Sequence, residues 1–162
     1  MSNLGILVPA VESRTAEYNR IYEENRHRIY SLAFWMTDNE LTAEELSANV
    51  FLRAFASCAH PTTEQIDHAF LAEVRETTAV GTLTLNCAAT PNAGVRGNVK
   101  RVHLERAVVQ VPATEKLIFL MHDVDGYDHS RIARLLGIDE QESQYGLHQA
   151  RVLIRELVSQ MS

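Results

Sequence analysis

Apolar residues recur at helical spacing along most of this 162-residue chain, and helix-breaking residues cut the pattern into separate lengths. Between residues 15 and 78 the spacing predicts three helices. The first carries Tyr18, Tyr22, Ile29, Leu32, Ala33 and Met36, with charged residues such as Glu23, Glu24, Arg26 and Arg28 on its other sides, and Asp38-Asn39 ends it. Thr42 with Glu45 reads as a capping box opening a second helix striped by Ala43, Leu46, Val50, Phe51, Ala54 and Phe55. Pro61 interrupts, and Thr62 with Gln65 caps a third bearing Ile66, Ala69, Phe70 and Val74. Three such stripes can bury a common core.

From Ala79 to Asn98 the composition changes to Gly, Thr, Asn and Pro, with Arg96 the one charged residue, as expected of a linker at least in its second half. Val80, Leu83 and Leu85 fit either an extension of the third helix or a short extended piece. Helical spacing resumes after residue 99 in shorter stripes: Leu104, Ala107, Val108 and Val111 before Pro112; Leu117, Leu120, Met121 and Val124 before Asp125-Gly126; Ile132, Leu135 and Leu136 before Gly137. A last helix, capped by Asp139 with Glu142, keeps the spacing from Leu147 to Met161. The expectation is an all-α chain with a helical domain over 15–80, a linker over 81–99 and a second helical domain over 100–162.

Composition excludes several classes. Fifteen Lys and Arg against 21 Asp and Glu leave a net charge of -6, so no uniformly basic coat exists for a polyanion, although a local patch can. No run of about 18 apolar residues is present, and Met1–Ala10 lacks the basic and apolar regions of a signal peptide. Cys58 and Cys87 stand 29 positions apart without a CxxC, which fits a reduced cytoplasmic protein. GxSxG, phosphate-loop, dinucleotide-fold and Cys–His patterns are missing, so neither catalysis nor a cofactor is expected. Glu23-Glu24 and Glu44-Glu45 are neighbours that point apart on a helix, suited to solvent or a basic partner. His122, Asp123, Asp125, Asp128 and His129 crowd eight residues, but Gly126 sits fourth from Asp123 where a calcium loop needs it sixth. A helix end, an Asp-Gly turn and an Asp cap explain the cluster, and no metal site is expected.

The most specific pattern runs from Ser130 to Asp139. A short helix, the turn residue Gly137 and a capped second helix make a helix-turn-helix, with Ala133 small where the helices approach and Ile138 plugging the core. The second helix of such a unit enters the major groove with its first residues at base edges. Gln141, Gln144, Tyr145 and His148 fall there, with Gln149 further on, and Arg131 and Arg151 are cations near enough to serve phosphates.

Two blocks together resemble the small alternative sigma factors of bacterial RNA polymerase, the extracytoplasmic-function group. The first runs from Tyr22 to Ala33, through Leu41-Thr-Ala-Glu-Glu-Leu46 and Val50-Phe-Leu-Arg-Ala-Phe55. It is similar to the sigma domain that docks on the polymerase clamp. The second, Leu104 to Leu157, passes through Val111-Pro112, Asp125-Gly126, Ile132-Ala133, Leu136-Gly137-Ile138 and Ala150-Arg151. It is similar to the domain that reads the upstream promoter element. The resemblance implies polymerase core and promoter DNA as partners, polymerase contacts through Glu44, Glu45 and Arg53, and a base-trapping role for Phe70, whose stripe position also suits core packing, the favoured reading.

Departures from the family pattern are equally marked. Ala48-Asn49 replaces Gln-Glu, Phe70-Leu71 replaces Trp-Leu, and no Lys or Arg occurs from Glu76 to Val95. Where the family's reading helix carries Thr-Val-Lys-Ser-Arg and a later Arg, this chain has Glu142, Ser143, Gln144, Tyr145, Gly146 and Gln149. From Asp139 to Arg151 one Arg faces Asp139, Glu140 and Glu142, a net of -2. An acidic helix meets a polyanion with the wrong sign, and Gly146 costs about 1 kcal/mol of helix propensity relative to Ala. These departures support an alternative: a degenerate sigma-like protein that sequesters an anti-sigma factor, or otherwise binds protein, with little DNA binding. The oligomeric state has no signature in the sequence.

Overall fold

The computed structural model describes residues 3–87 and 100–161, and every regular element among them is helical. The first helix, α1 (Asn3–Thr37), begins a dozen residues before the expected onset. It stops at Asp38, whose φ of 52° lies in the left-handed region. The next helix, α2 (Glu40–Ser57), starts earlier than the predicted Thr42–Glu45 box. Asn39 is the cap, its side chain accepting from the Thr42 amide at 2.9 Å, because the Asp38 reversal leaves Asn39 extended with its carboxamide over the first turn. The Thr62–Gln65 box forms as expected and opens α3 (Thr63–Arg75). The stripes meet: Ile29, Leu32, Val50, Phe51, Ile66, Phe70 and Leu71 are all buried.

Beyond α3 the chain is irregular rather than helical over Val80–Cys87, with a bend at Gly81-Thr82. Leu83 and Leu85 turn inward while Thr82, Thr84 and Asn86 face out. The second half of the expected linker, 88–99, lies outside the described residues.

The C-terminal block holds α4 (Arg101–Val109), α5 (Ala113–Phe119), α6 (His129–Leu136) and α7 (Glu140–Met161). A π-helical turn, Leu120–Val124, continues α5, closed by the Asp125 amide on the Leu120 carbonyl at 3.0 Å. Gly126 and Gly137 have φ of 76° and 73°, the positive values that their turns demand. Asp128 caps α6 through the Arg131 amide at 2.8 Å, and Asp139 with Glu142 caps α7. Leu117, Ile118, Met121, Ile132, Leu135, Leu147, Ala150 and Ile154 fill the space between these helices.

The two blocks pack together, with α6 against α3 and α4 beside the end of α1, and their buried residues form one continuous core. No helix among the described residues is long and apolar enough to cross a membrane. Cys58 and Cys87 are both free thiols.

Candidate nucleic-acid interface

Helical geometry decides which α7 side chains can read a groove. Ser143, Gly146, Leu147 and Ala150 point inward, so Gln141, Gln144, Tyr145 and His148, at spacings of three and four, share the outer face and are exposed. These four predicted residues are brought together as one stripe, presented by the Gly137 turn. Glu140 and Glu142 are exposed beside it and make the surroundings acidic. The Tyr145 hydroxyl is engaged, donating to Asn86 Oδ1 at 2.9 Å. Gln149 is buried and unavailable to a base; its side-chain oxygen accepts the Cys87 amide instead.

The predicted cations are held in ion pairs. Arg151 donates twice to Asp123, at 2.6 and 3.0 Å. Burial works against ionising Asp123, but the bonds from Arg151 and His122 outweigh it and hold the carboxyl below its ordinary range. Arg131 donates to Asp67 Oδ2 at 3.1 Å while its guanidinium lies 3.6 Å over the Tyr127 ring, and Arg134 reaches Glu64 at 3.2 Å. Behind the stripe, His122 and His129 stack at 4.7 Å and His129 Nδ1 is 2.8 Å from Ser143 Oγ. Burial, then the neighbouring His122 and Arg151, push the His129 pKa down.

Phe70 packs in the core, the favoured of its two readings, and not as a base trap. It is 0% exposed, sealed in the α1–α3 core, and in this arrangement no face of its ring is open to a base. Arg53 is also spoken for: it donates to Glu73 at 2.8 Å and Glu76 at 2.6 Å, tying α2 to α3 rather than facing outward alone. Glu44 and Glu45 are exposed on α2, between Leu41 and Leu52, which are 74% and 68% exposed. That face is open.

Two structural residues, Asp67 and Glu115, and the packing role of Gly146 are not apparent from the sequence. Asp67, 1% exposed, collects bonds from Arg28, Tyr127 and Arg131. Glu115, fully buried, accepts the Thr84 amide at 3.0 Å and the Leu85 amide at 2.5 Å on Oε2. Gly146 lies under Leu83: an added Cβ would stand 2.5 Å from Ile118 Cδ1 and 3.0 Å from Leu83 Cδ2. The glycine is a close-approach site, which explains its presence inside a helix. The available signal was an acidic residue set beside apolar stripe positions, Asp67 next to Ile66 and Glu115 just before Leu117-Ile118.

Comparison with known proteins agrees with this geometry. Residues 101–154, about a third of the chain, match the family model "Sigma-70, region 4". The second helical block is thus similar to region 4 of the sigma-70 family. No curated protein sequence matches the chain. Among solved structures, the fold is similar to the sigma factor RpoE from Bartonella quintana, crystallised in complex with the anti-sigma factor NepR. The superposition has a TM-score of 0.64 and covers 88% of this chain and 96% of that one, at 13% identity. At such identity the likeness is one of fold, and at 88% coverage it extends well beyond the matched block.

Proposed function

We propose that this chain is a non-enzymatic, cytoplasmic sigma-like transcription-initiation protein that binds RNA polymerase core and promoter DNA. The observation that carries the reading is the exposed stripe Gln141, Gln144, Tyr145 and His148, set by a left-handed glycine turn within the block similar to sigma-70 region 4. Gln can pair with adenine edges in the major groove, and Tyr and His add further hydrogen-bonding and contact surface. Residues 15–80 act as the polymerase-docking domain and 100–162 as the upstream-element reader. The exposed Glu44 and Glu45, flanked by Leu41 and Leu52, support docking through α2: apolar anchors rimmed by charge suit a protein interface. Co-sedimentation with bacterial polymerase core tests this. A stable complex that is weakened by Glu44→Lys with Glu45→Lys supports the reading, and no complex at micromolar concentration and low salt refutes it.

One specific observation favours a second reading. The exposed start of α7 is acidic, and Arg131, Arg134 and Arg151 are all in ion pairs. A sigma-like protein that sequesters an anti-sigma factor has no need of phosphate contacts, and the fold's likeness to a sigma factor seen with an anti-sigma partner supports it. Run-off transcription with core enzyme and genomic DNA separates the two, since a promoter-specific transcript excludes the second.

A further inference from the structure

We propose that Asp67 is a latch: it holds the first helix of the helix-turn-helix against the N-terminal bundle and so withholds Arg131 from DNA. This rests on the DNA-binding reading above. The two oxygens of Asp67 are divided between the blocks. Oδ1 accepts from Arg28, on α1, at 2.8 Å from Nη2 and 3.3 Å from Nε. Oδ2 accepts from the other block alone, from the Tyr127 hydroxyl at 2.7 Å and from Arg131 Nη2 at 3.1 Å.

That division makes the contact releasable. A buried carboxylate stripped of its counter-ion is strongly unfavourable. Asp67 keeps Arg28 when the blocks part, so at this carboxylate opening exchanges only the Oδ2 bonds for water. Arg131 is under-satisfied while it is closed, with Nε buried and lacking a hydrogen-bond partner. Water would satisfy that group on opening. The remaining polar contacts joining α3 to α6 and its neighbours are thin: exposed Arg134 to Glu64, and Arg75 Nη2 to the Leu136 carbonyl at 3.2 Å. Arg131 lies in the first turn of α6. In a helix-turn-helix the first helix crosses the phosphate backbone, so a freed Arg131 is placed for a phosphate.

The test uses the full chain as wild type, Asp67→Asn, Arg131→Gln and the double variant. Asp67→Asn leaves Arg28 and Arg131, two like charges, facing one neutral amide, and the blocks should part. Small-angle scattering should then show a larger radius of gyration. The single tryptophan, Trp35, whose carbonyl accepts Lys116 Nζ of the other block at 3.3 Å, should be more readily quenched by acrylamide. Arg131→Gln should open the blocks too, and because Arg131 is only partly buried, against 1% exposure for Asp67, it is the milder change should Asp67→Asn lose its fold. Binding is read with a random-sequence 30-base-pair DNA duplex at two salt concentrations. Only Asp67→Asn should bind several-fold more tightly than wild type, with a log–log salt slope steeper by up to about 0.9, the value of one phosphate contact. Unchanged scattering and quenching in both single variants overturn the latch. So does a gain that survives in the double variant, or opening without a gain when the wild type binds the duplex. If the blocks open yet no form binds duplex, the DNA reading falls and the withholding role falls with it.

Discussion

Replacing Asp125 by Asn should stabilise the protein at neutral pH and do almost nothing in acid. Asp125 follows the π turn, near Asp67, Arg28 and Arg131, and its Oδ2 is buried without a hydrogen-bond partner. Burial, opposed by Arg28, raises its pKa from the ordinary 3.8 to about 6. A raised carboxyl pKa means the folded state holds the proton more tightly than the unfolded one. Its contribution is fully present below 3.8 and is lost as pH rises through about 6. At 1.36 kcal/mol per pH unit this sets an upper limit of about 3 kcal/mol, and partial exposure of the carboxyl reduces the expected effect to about 1–2 kcal/mol. Asn carries no charge to desolvate. Urea unfolding followed by circular dichroism should therefore show Asp125→Asn gaining about 1–2 kcal/mol over wild type at pH 8, shrinking towards zero near pH 4. Titrations common to both proteins, His129 included, cancel in that difference. A gain of equal size at both pH values would show that ionisation is not the cause, and a loss at pH 8 that Asp125 is stabilised as the anion; either result refutes the reasoning.

Three further outcomes follow from packing and charge. Gly146→Ala gains about 1 kcal/mol of helix propensity but must displace buried Ile118 or half-buried Leu83, a cost of about 1–3 kcal/mol; thermal unfolding should show a small net loss, with Leu83–Leu85 amides exchanging faster. Glu115→Ala leaves the Thr84 and Leu85 amides without their acceptor and should cost about 2–3 kcal/mol, read by urea unfolding and by lost hydrogen-exchange protection at those two amides. The intact chain should bind duplex DNA weakly with a shallow salt slope, because Arg131, Arg134 and Arg151 are paired. Glu142→Thr with Gln144→Lys should tighten binding and steepen the slope by up to about 0.9, measured by fluorescence anisotropy; steep, tight binding by the wild type would show that another face meets DNA.

The sequence by itself determined the helices and the turn that aims them. Period and punctuation are local: the stripes in α2, α3 and α6, the caps at Thr62, Asp128 and Asp139, and the left-handed Gly137 all depend on residues within a few positions of one another. The placement of Gln141, Gln144, Tyr145 and His148 on one face was legible for the same reason, since helical spacing fixes it. Local chemistry did not single out Asn39, which took the capping place predicted for Thr42 because the Asp38 reversal set the register.

Tertiary structure alone decided what the charges do. Asp67 and Arg131 are 64 residues apart, Glu115 and Leu85 are 30 apart, and Arg53 and Glu73 are 20 apart. A charge on a helix reads the same in sequence whether it faces water, a phosphate or a carboxylate of another helix. Only the packing of α6 on α3 removed Arg131 from the free surface, and only the fit of Leu83 against α7 explains Gly146. Phe70 shows the same limit: its stripe position marked it as apolar and inward or aromatic and available, and the closing of three helices around it settled the matter. Burial and pairing are properties of the assembled surfaces, and no local pattern encodes them.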